Sequence, residues 1–172
     1  MTLLKNKPSI QDIALIGLLS ATITAGKLVL SFIPNVEIVT ILFIVYTICF
    51  GVKITLLASV VFSTTEILIY GFATWLLGYY LIWPLLIILT GIVKKRFSSD
   101  YVYAALAGLF GLFFGLFFAI VESIFYGYVY GFSYWLRGIP FDLVHGVSNF
   151  IIALLLFKPL TGILSSLYQK YT

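Results

Sequence analysis

Charged residues are scarce in this sequence of 172 residues: Asp, Glu, Lys and Arg make up 9 % of it, against about 25 % in soluble domains. Hydrophobic residue types make up 62 %, and the mean hydropathy is +1.16. Cysteine and histidine occur once each, as Cys49 and His145. A single cysteine excludes an internal disulfide, and a single histidine argues against a metal centre. This composition is typical of a membrane protein.

Several catalytic and nucleotide-binding motifs are also absent. The sequence contains no HExxH, no GxSxG, no paired-aspartate motif of an intramembrane protease and no GxxxxGK[ST] phosphate loop. We therefore expect that the protein is not an enzyme and that the chain binds no metal or cofactor of its own. The net charge of +4 comes from basic residues at the ends of apolar stretches. Membrane topology explains that placement, so we expect no nucleic-acid partner.

Six long apolar stretches account for most of the chain. Because a helical span needs about 20 apolar residues, we predict an all-α membrane protein, a single six-helix domain over residues 1–172. The predicted helices cover about residues 11–32, 36–50, 54–70, 76–93, 102–126 and 140–156, with a long loop at 127–138. Ser9 is a predicted N-cap, Pro84 predicts a kink and Pro140 a helix start. The first stretch is too long for a signal peptide and lacks a small-residue cleavage site, so we expect a span there.

The basic residues are sorted to one side of this six-helix topology. Eight of the ten basic residues lie at helix ends on the same side of the membrane as both termini. The two exceptions are Lys27 and Arg137. The eight are Lys5, Lys7, Lys53, Lys94, Lys95, Arg96, Lys158 and Lys170. The positive-inside rule then predicts that both termini are cytoplasmic.

Polar residues recur at helical spacing near the opposite, outer ends. They form three stripes: Asp142, His145 and Asn149; Ser59, Ser63, Glu66 and Tyr70; and Thr24, Lys27 and Ser31. Glu37 and Glu122 lie at the same level, and Glu37 is the weakest member because it is also placed to cap the second helix. Since polar groups inside a membrane usually face a bundle interior or a cavity, the stripes predict one ligand cavity open to the outside. The alternative is that these groups are solvated at the interface or pair only for stability.

Aromatic residues are abundant at the same end. Tyr and Trp belts are normal at a membrane interface, but those beside the polar stripes are placed to cover a bulky, partly apolar ligand. Arg137 is placed to bind either a ligand anion or a lipid phosphate. The predicted substrate-binding residues are Lys27, Asn35, Glu66, Tyr70, Trp75, Tyr79, Trp83, Glu122, Tyr126, Trp135, Arg137, Asp142, His145 and Asn149.

Small residues recur every four positions on two helices. Gly17, Ala21 and Ala25 form such a stripe on the first helix, and small-xxx-small faces allow close helix approach in lipid. This stripe serves either internal packing or docking of another subunit. On the fifth helix, the stripe of Ala107, Gly111, Gly115 and Ala119 predicts internal packing.

The chain resembles the S components of energy-coupling factor (ECF) vitamin transporters. The resemblance rests on size, topology, the AxxxA of Ala21–Ala25 and the strings IPNVEIVT, EILIYGFATW, YLIWPLLI and YWLRGIPFDLVHGVSNF, which are most similar to the cobalamin-specific subgroup. It implies a vitamin-binding subunit in a bacterial plasma membrane, whose AxxxA face docks on a transmembrane T subunit. Two cytoplasmic ATPases use the ATP, and the S component topples to carry its vitamin inward. Cobalamin is the ligand that the subgroup implies; pantothenate, pyridoxine or a pteridine also suits an aromatic, polar pocket.

Two other functions remain open on the residues alone. One is a self-contained secondary transporter or channel in which Glu66, Glu122 and Lys27 couple ions, although we find no inverted repeat of the kind common in such proteins. The other is an intramembrane enzyme that uses Asp142 and His145 as acid and base, although no nucleophile or metal set accompanies them.

Overall fold

The fold is an all-helical bundle, as predicted. The computed structural model describes residues 9–171, with side chains described as far as Leu167; 87 % of this part of the chain is helical, and it contains no strand. Lys5, Lys7 and the side chain of Lys170 lie outside it. The helices are α1 (Ile10–Leu30), α2 (Val39–Phe50), α3 (Val52–Tyr70), α4 (Thr74–Lys94), α5 (Asp100–Leu112), α6 (Phe114–Tyr126) and α7 (Tyr128–Tyr171).

Helix ends follow local chemistry. Ser9 caps α1 as predicted: its hydroxyl accepts from the Asp12 amide at 3.1 Å, and the Asp12 carboxylate accepts from the Ser9 amide at 2.9 Å. Gly51, Gly71 and Gly127 follow α2, α3 and α6 with φ of 85°, 79° and 86°. Glycine adopts this left-handed region without the steric penalty that a Cβ brings, so the chain turns sharply into the next helix.

Four helices of the described chain are long and apolar enough to cross a membrane: α1, α3, α4 and α7. A fifth span results if α5 and α6, which meet at a bend of 40°, are one broken span. The shorter α2 has only 12 residues, about 18 Å of helix, so the sixth predicted span stays a prediction.

The short helix α2 forms the centre of the bundle. Every residue from Val39 to Thr47 is buried, and α2 contacts each of α1, α3, α4, α5 and α7. Phe43 packs on Phe62 of α3 and on Trp83 of α4, with ring centroids 5.8 and 5.1 Å apart. The other helices surround α2 and expose large apolar side chains such as Leu68 and Ile124, as expected of surfaces that face lipid.

Two predicted boundaries are wrong. Residues 127–138 are not a long loop, because α7 begins at Tyr128 and continues through Pro140 and Pro159. Its first turns pack on α6, where a Cβ at Gly131 would collide with Ser123 and with the carbonyl of Ala119. The predicted fifth helix, 102–126, is divided at Phe113 into α5 and α6.

The small-residue stripe on α5 and α6 packs internally, as predicted. A Cβ at Gly111 would lie 2.8 Å from the carbonyl oxygen of His145, and one at Gly108 would lie 3.0 Å from the Cβ of Phe150. The backbones of α5 and α7 are therefore in direct contact, which fixes the depth of the polar stripe on α7.

Alternating helix directions separate the charges between the two ends of the bundle. At one end, the Lys94 ammonium donates to the carbonyl of Ile48 at 2.8 Å, so α2 and α4 end together. At the other end, the C-terminal parts of α1 and α3 meet the N-terminal parts of α2 and α4. We call these the basic end and the polar end.

Candidate functional site

The predicted polar stripes converge at the polar end. Asp142, His145 and Asn149 are 7, 4 and 2 % exposed, so the α7 stripe faces the bundle interior. Ser63 and Glu66 on α3 are fully buried. Thr24 of α1 is buried and Lys27 is partly buried, whereas the predicted stripe members Ser31 and Tyr70 are exposed. The structure therefore brings together most of the polar groups of the three stripes, but not all of them.

Lys27 and Glu66 form an ion pair that joins α1 to α3. The Glu66 side chain is fully buried, whereas 22 % of the Lys27 side chain is exposed. The Lys27 ammonium also lies 4.7 Å from the Tyr70 ring centroid, 5.6 Å from Trp75 and 5.2 Å from Tyr79. Aromatic faces attract a cation at these distances, so the lysine is held by a carboxylate and three rings.

Glu37 links the loop after α1 to α7. One carboxylate oxygen lies 3.3 Å from His145 Nε2, and the other accepts from the Thr40 amide at 2.9 Å. Glu37 therefore caps α2 and also pairs with the predicted stripe. Burial alone would raise the pKa of Glu37, but the hydrogen bonds from His145 and Thr40 and the charge of His145 outweigh it and lower the pKa.

Asn149 and Asp142 have different partners. The Asn149 amide donates to the Thr40 hydroxyl at 3.2 Å, below the level of the Glu37 contact. One Asp142 oxygen accepts from the Gly115 amide at 2.9 Å, at the start of α6. Asp142 and His145 therefore contact separate partners, Gly115 and Glu37. These hydrogen bonds do not support the hypothesis that the two residues act as an acid–base pair.

The larger cavity at the polar end has a volume of about 640 Å³. Small-molecule sites span about 300–1,000 Å³. Seven aromatic side chains, one acid and one base line it, together with an asparagine and two glycines. The lining residues are Asn35, Trp75, Tyr79, Phe114, Gly115, Phe118, Tyr130, Tyr134, Arg137, Gly138, Phe141 and Asp142.

A smaller cavity of about 270 Å³ adjoins it. The two share Asn35, Tyr79 and Phe114 in their walls. Lys27, Glu37 and His145 contribute the titratable groups of the smaller cavity, and Trp83 lies at its aromatic side. Asn35 adopts a φ of 60°, a region in which asparagine is more tolerated than most residues.

Eight of the fourteen predicted substrate-binding residues line these two cavities: Lys27, Asn35, Trp75, Tyr79, Trp83, Arg137, Asp142 and His145. Three more lie next to the cavities without lining them. Glu66 forms an ion pair with Lys27, the Tyr70 ring contacts the ammonium of the same lysine, and Asn149 donates a hydrogen bond to Thr40. Glu122 is buried and accepts from the Thr74 hydroxyl at 2.8 Å, so it ties α6 to the start of α4.

Tyr126 and Trp135 lie elsewhere. Tyr126 is 56 % exposed and packs on the Tyr130 ring at a centroid distance of 5.0 Å. Trp135 lines a third, almost wholly apolar cavity between α6 and α7, of about 460 Å³. Because α7 is helical from Tyr128 onward, Trp135 points to a different face from that of Tyr130, Tyr134 and Arg137.

Several lining residues were missed from the sequence. Phe114, Phe118 and Phe141 sit in apolar runs where nothing separates a cavity wall from ordinary packing. Tyr130 and Tyr134 lie in the segment predicted to be a loop, yet they are one helical turn apart on α7 and both line the larger cavity. If residues 128–138 had been predicted as helix, the spacing of four between the two tyrosines would have placed them on one face.

The predicted docking stripe lies on the outside of the bundle. Gly17, Ala21 and Ala25 are all exposed on α1, and a Cβ at Gly17 would meet no atom within 4 Å. The predicted stripe is therefore on an open surface of α1 and not in the interior of the described bundle.

Within residues 9–171, no three His, Cys, Asp or Glu side chains are grouped as metal ligands. Comparison with known protein families, curated proteins and solved structures finds no match. The site is therefore interpreted from its own geometry.

Proposed function

We propose that this chain is the substrate-binding S component of an ECF-type vitamin importer. The observation that carries the proposal is the aromatic-walled cavity of about 640 Å³ at the polar end, opposite the end where most of the basic residues lie. A concave site with a few convergent polar groups is the usual form of a small-molecule site. In this proposal the chain spans the membrane six times with both termini cytoplasmic, and the cavity opens outward.

The chain carries no phosphate-loop motif of its own. In this proposal, a transmembrane T subunit and two cytoplasmic ATPases that hydrolyse ATP supply the energy. The exposed stripe of Gly17, Ala21 and Ala25 supports docking on the T subunit, because close helix contact in lipid requires small side chains on both surfaces.

Cobalamin and the smaller vitamins make different demands on the cavity. Cobalamin has apolar corrin faces and a rim of amides, which suit aromatic walls with mixed donors and acceptors. It would have to occupy both cavities. The volume of the larger cavity alone favours a smaller vitamin such as pyridoxine, pantothenate or a pteridine, and these form the second candidate class.

The direct test is to purify the full chain from its native host, identify the retained small molecule by mass spectrometry and titrate it calorimetrically. A vitamin retained at near one-to-one ratio, together with copurification of a T subunit and two ATPases, is the expected result. Purification of a ligand-binding chain without any such partner contradicts the proposal.

A further inference from the structure

Five buried polar side-chain atoms of the described chain lack a hydrogen-bond partner: Thr24 Oγ1, Ser63 Oγ, Glu66 Oε1, Trp83 Nε1 and Asp142 Oδ2. Only Trp83 and Asp142 belong to residues that line the two cavities. The other Asp142 oxygen, Oδ1, accepts from the Gly115 amide, and the Trp83 side chain is only 2 % exposed. A buried polar group without a partner is destabilising, so a ligand that supplies the partner gains affinity at each atom.

The two atoms have opposite hydrogen-bonding character. A carboxylate oxygen only accepts, and an indole N–H only donates. Asp142 lines the larger cavity and Trp83 the smaller one, and the two cavities adjoin at Asn35, Tyr79 and Phe114. A ligand that extends across this junction therefore satisfies both atoms if it has a donor at one edge and an acceptor at the other.

Gly115 bears directly on access to the acid. A Cβ at this position would lie 2.5 Å from Asp142 Oδ2 and 2.7 Å from Oδ1. Gly115 itself lines the larger cavity. The absence of a side chain at Gly115 thus lets the backbone amide donate to Oδ1 and leaves Oδ2 without a hydrogen-bond partner in the described chain.

The walls favour a flat, electron-poor or cationic ring. Trp75, Tyr79, Tyr134 and Phe118 present aromatic side chains to the cavity that holds Asp142. Aromatic faces stack on planar rings and attract positive charge, and both effects strengthen when the site is desolvated. A ligand anion placed directly at Asp142 would meet a like charge, so the cation Arg137 is the group in this cavity that favours an anion.

We propose that the site binds a planar nitrogen heterocycle that donates an N–H, or directs a positively charged edge, to Asp142 Oδ2 and accepts a hydrogen bond from Trp83 Nε1. The inference rests on the proposed function, since it names the class of ligand that the S component would carry. It selects pteridine-like or pyridine-like rings over an acyclic acid such as pantothenate.

The test is calorimetric titration of the purified full chain with four probes: pterin, pyridoxine, pantothenate and cobalamin. We expect at least one of the two heterocycles to bind and pantothenate not to bind. Asp142→Asn keeps the size of the side chain and an oxygen for the Gly115 amide, but it replaces the free acceptor with a donor. It should weaken heterocycle binding about tenfold or more.

Trp83→Phe removes only the indole donor and should weaken the same probe several-fold. Asp100→Asn, an equivalent change at the start of α5 and at the basic end, should leave the affinity unchanged. Failure of both heterocycles to bind, or unchanged heterocycle affinity in Asp142→Asn, overturns the inference. The inference is also overturned if cobalamin binds and its affinity does not change in Asp142→Asn.

Failure of the inference and failure of the proposed function give different results. A chain that binds a heterocycle through Asp142 but never assembles with ATPase subunits retains the inference and contradicts the S-component role. A chain that assembles with them and binds only pantothenate retains the role and contradicts the inference.

Discussion

Lys27 and Glu66 bury a charged pair inside a mostly apolar bundle, and the two members are exposed unequally. Removing one partner of a buried pair leaves an uncompensated charge, which typically costs several kcal/mol. Lys27→Met should therefore lower the free energy of unfolding by about 2 kcal/mol, less than for a fully buried pair because Lys27 is partly solvated. Thermal unfolding of the purified protein in detergent measures the change.

The double variant Lys27→Met/Glu66→Gln is the informative control. It removes both charges, so most of the lost stability should return. Lys95→Met at the exposed basic end should have little effect. A single Lys27→Met variant that is as stable as the native chain would show that Glu66 does not need its partner.

Glu37 gives a pH dependence with a definite sign. Its pKa is lowered in the folded protein from an ordinary value of 4.5. The stability that it contributes is therefore complete above that ordinary value and is lost as the pH falls through the folded pKa. We expect a thermal midpoint that decreases below about pH 4.5, and a smaller decrease in Glu37→Gln. Identical pH profiles for the two proteins would refute this role.

The sequence predicted the polar residues better than the aromatic ones. Helical spacing alone placed Asp142, His145 and Asn149 on one buried face. It ranked Glu37 as the weakest member because of its capping position, whereas in the structure the same carboxylate both accepts from the Thr40 amide and contacts His145. The second contact depends on how α7 packs. Aromatic positions such as Phe114 and Phe118 carry no periodic signal that separates a cavity wall from a core.

At the scale of the helices, the all-helical fold was predicted correctly, but six helices were expected and the described chain has seven. Residues 127–138 were predicted as a loop, yet only Gly127 turns the chain, whereas Gly131 allows the close contact of α7 with α6. The helix is divided at Phe113 although no proline lies there to predict a break. Both features depend on packing between helices, which a local pattern does not contain.

The exposed face of α1 leads to a prediction about assembly. Ala21→Trp places a large ring where close contact with a T subunit is proposed, so complex formation should fall sharply while ligand binding by the isolated chain persists. Leu109→Trp, at a residue that is 55 % exposed on α5, is the matched control and should assemble normally. Copurification measures both; normal assembly of Ala21→Trp would exclude this face as the docking surface.

At the scale of the whole molecule, the two ends of the bundle differ in chemistry. Basic side chains surround one end, while the buried acids, the histidine and the cavities lie at the other. Because cytoplasmic loops carry an excess of Lys and Arg, this arrangement supports the proposed orientation, in which the cavities open toward the external medium.

The energy source separates the proposed function from a secondary transporter. Proteoliposomes that contain this chain alone should bind ligand without concentrating it, and accumulation should require the T subunit, both ATPases and internal ATP. The buried Lys27–Glu66 pair is the group best placed to couple an ion. Accumulation driven by an ion gradient in the absence of partners would therefore favour the secondary transporter.

The length of α7 has a mechanical consequence. Its 44 residues make a rod of about 66 Å, roughly twice the thickness of the hydrocarbon core. Proline in a helix interior removes one backbone hydrogen bond, so we expect α7 to bend most easily at Pro140 and Pro159. Tyr130, Tyr134 and Arg137 precede Pro140, whereas Asp142 and His145 follow it. The cavity-lining residues of α7 thus lie on both sides of a proline, and a ligand that contacts both groups would restrict bending there.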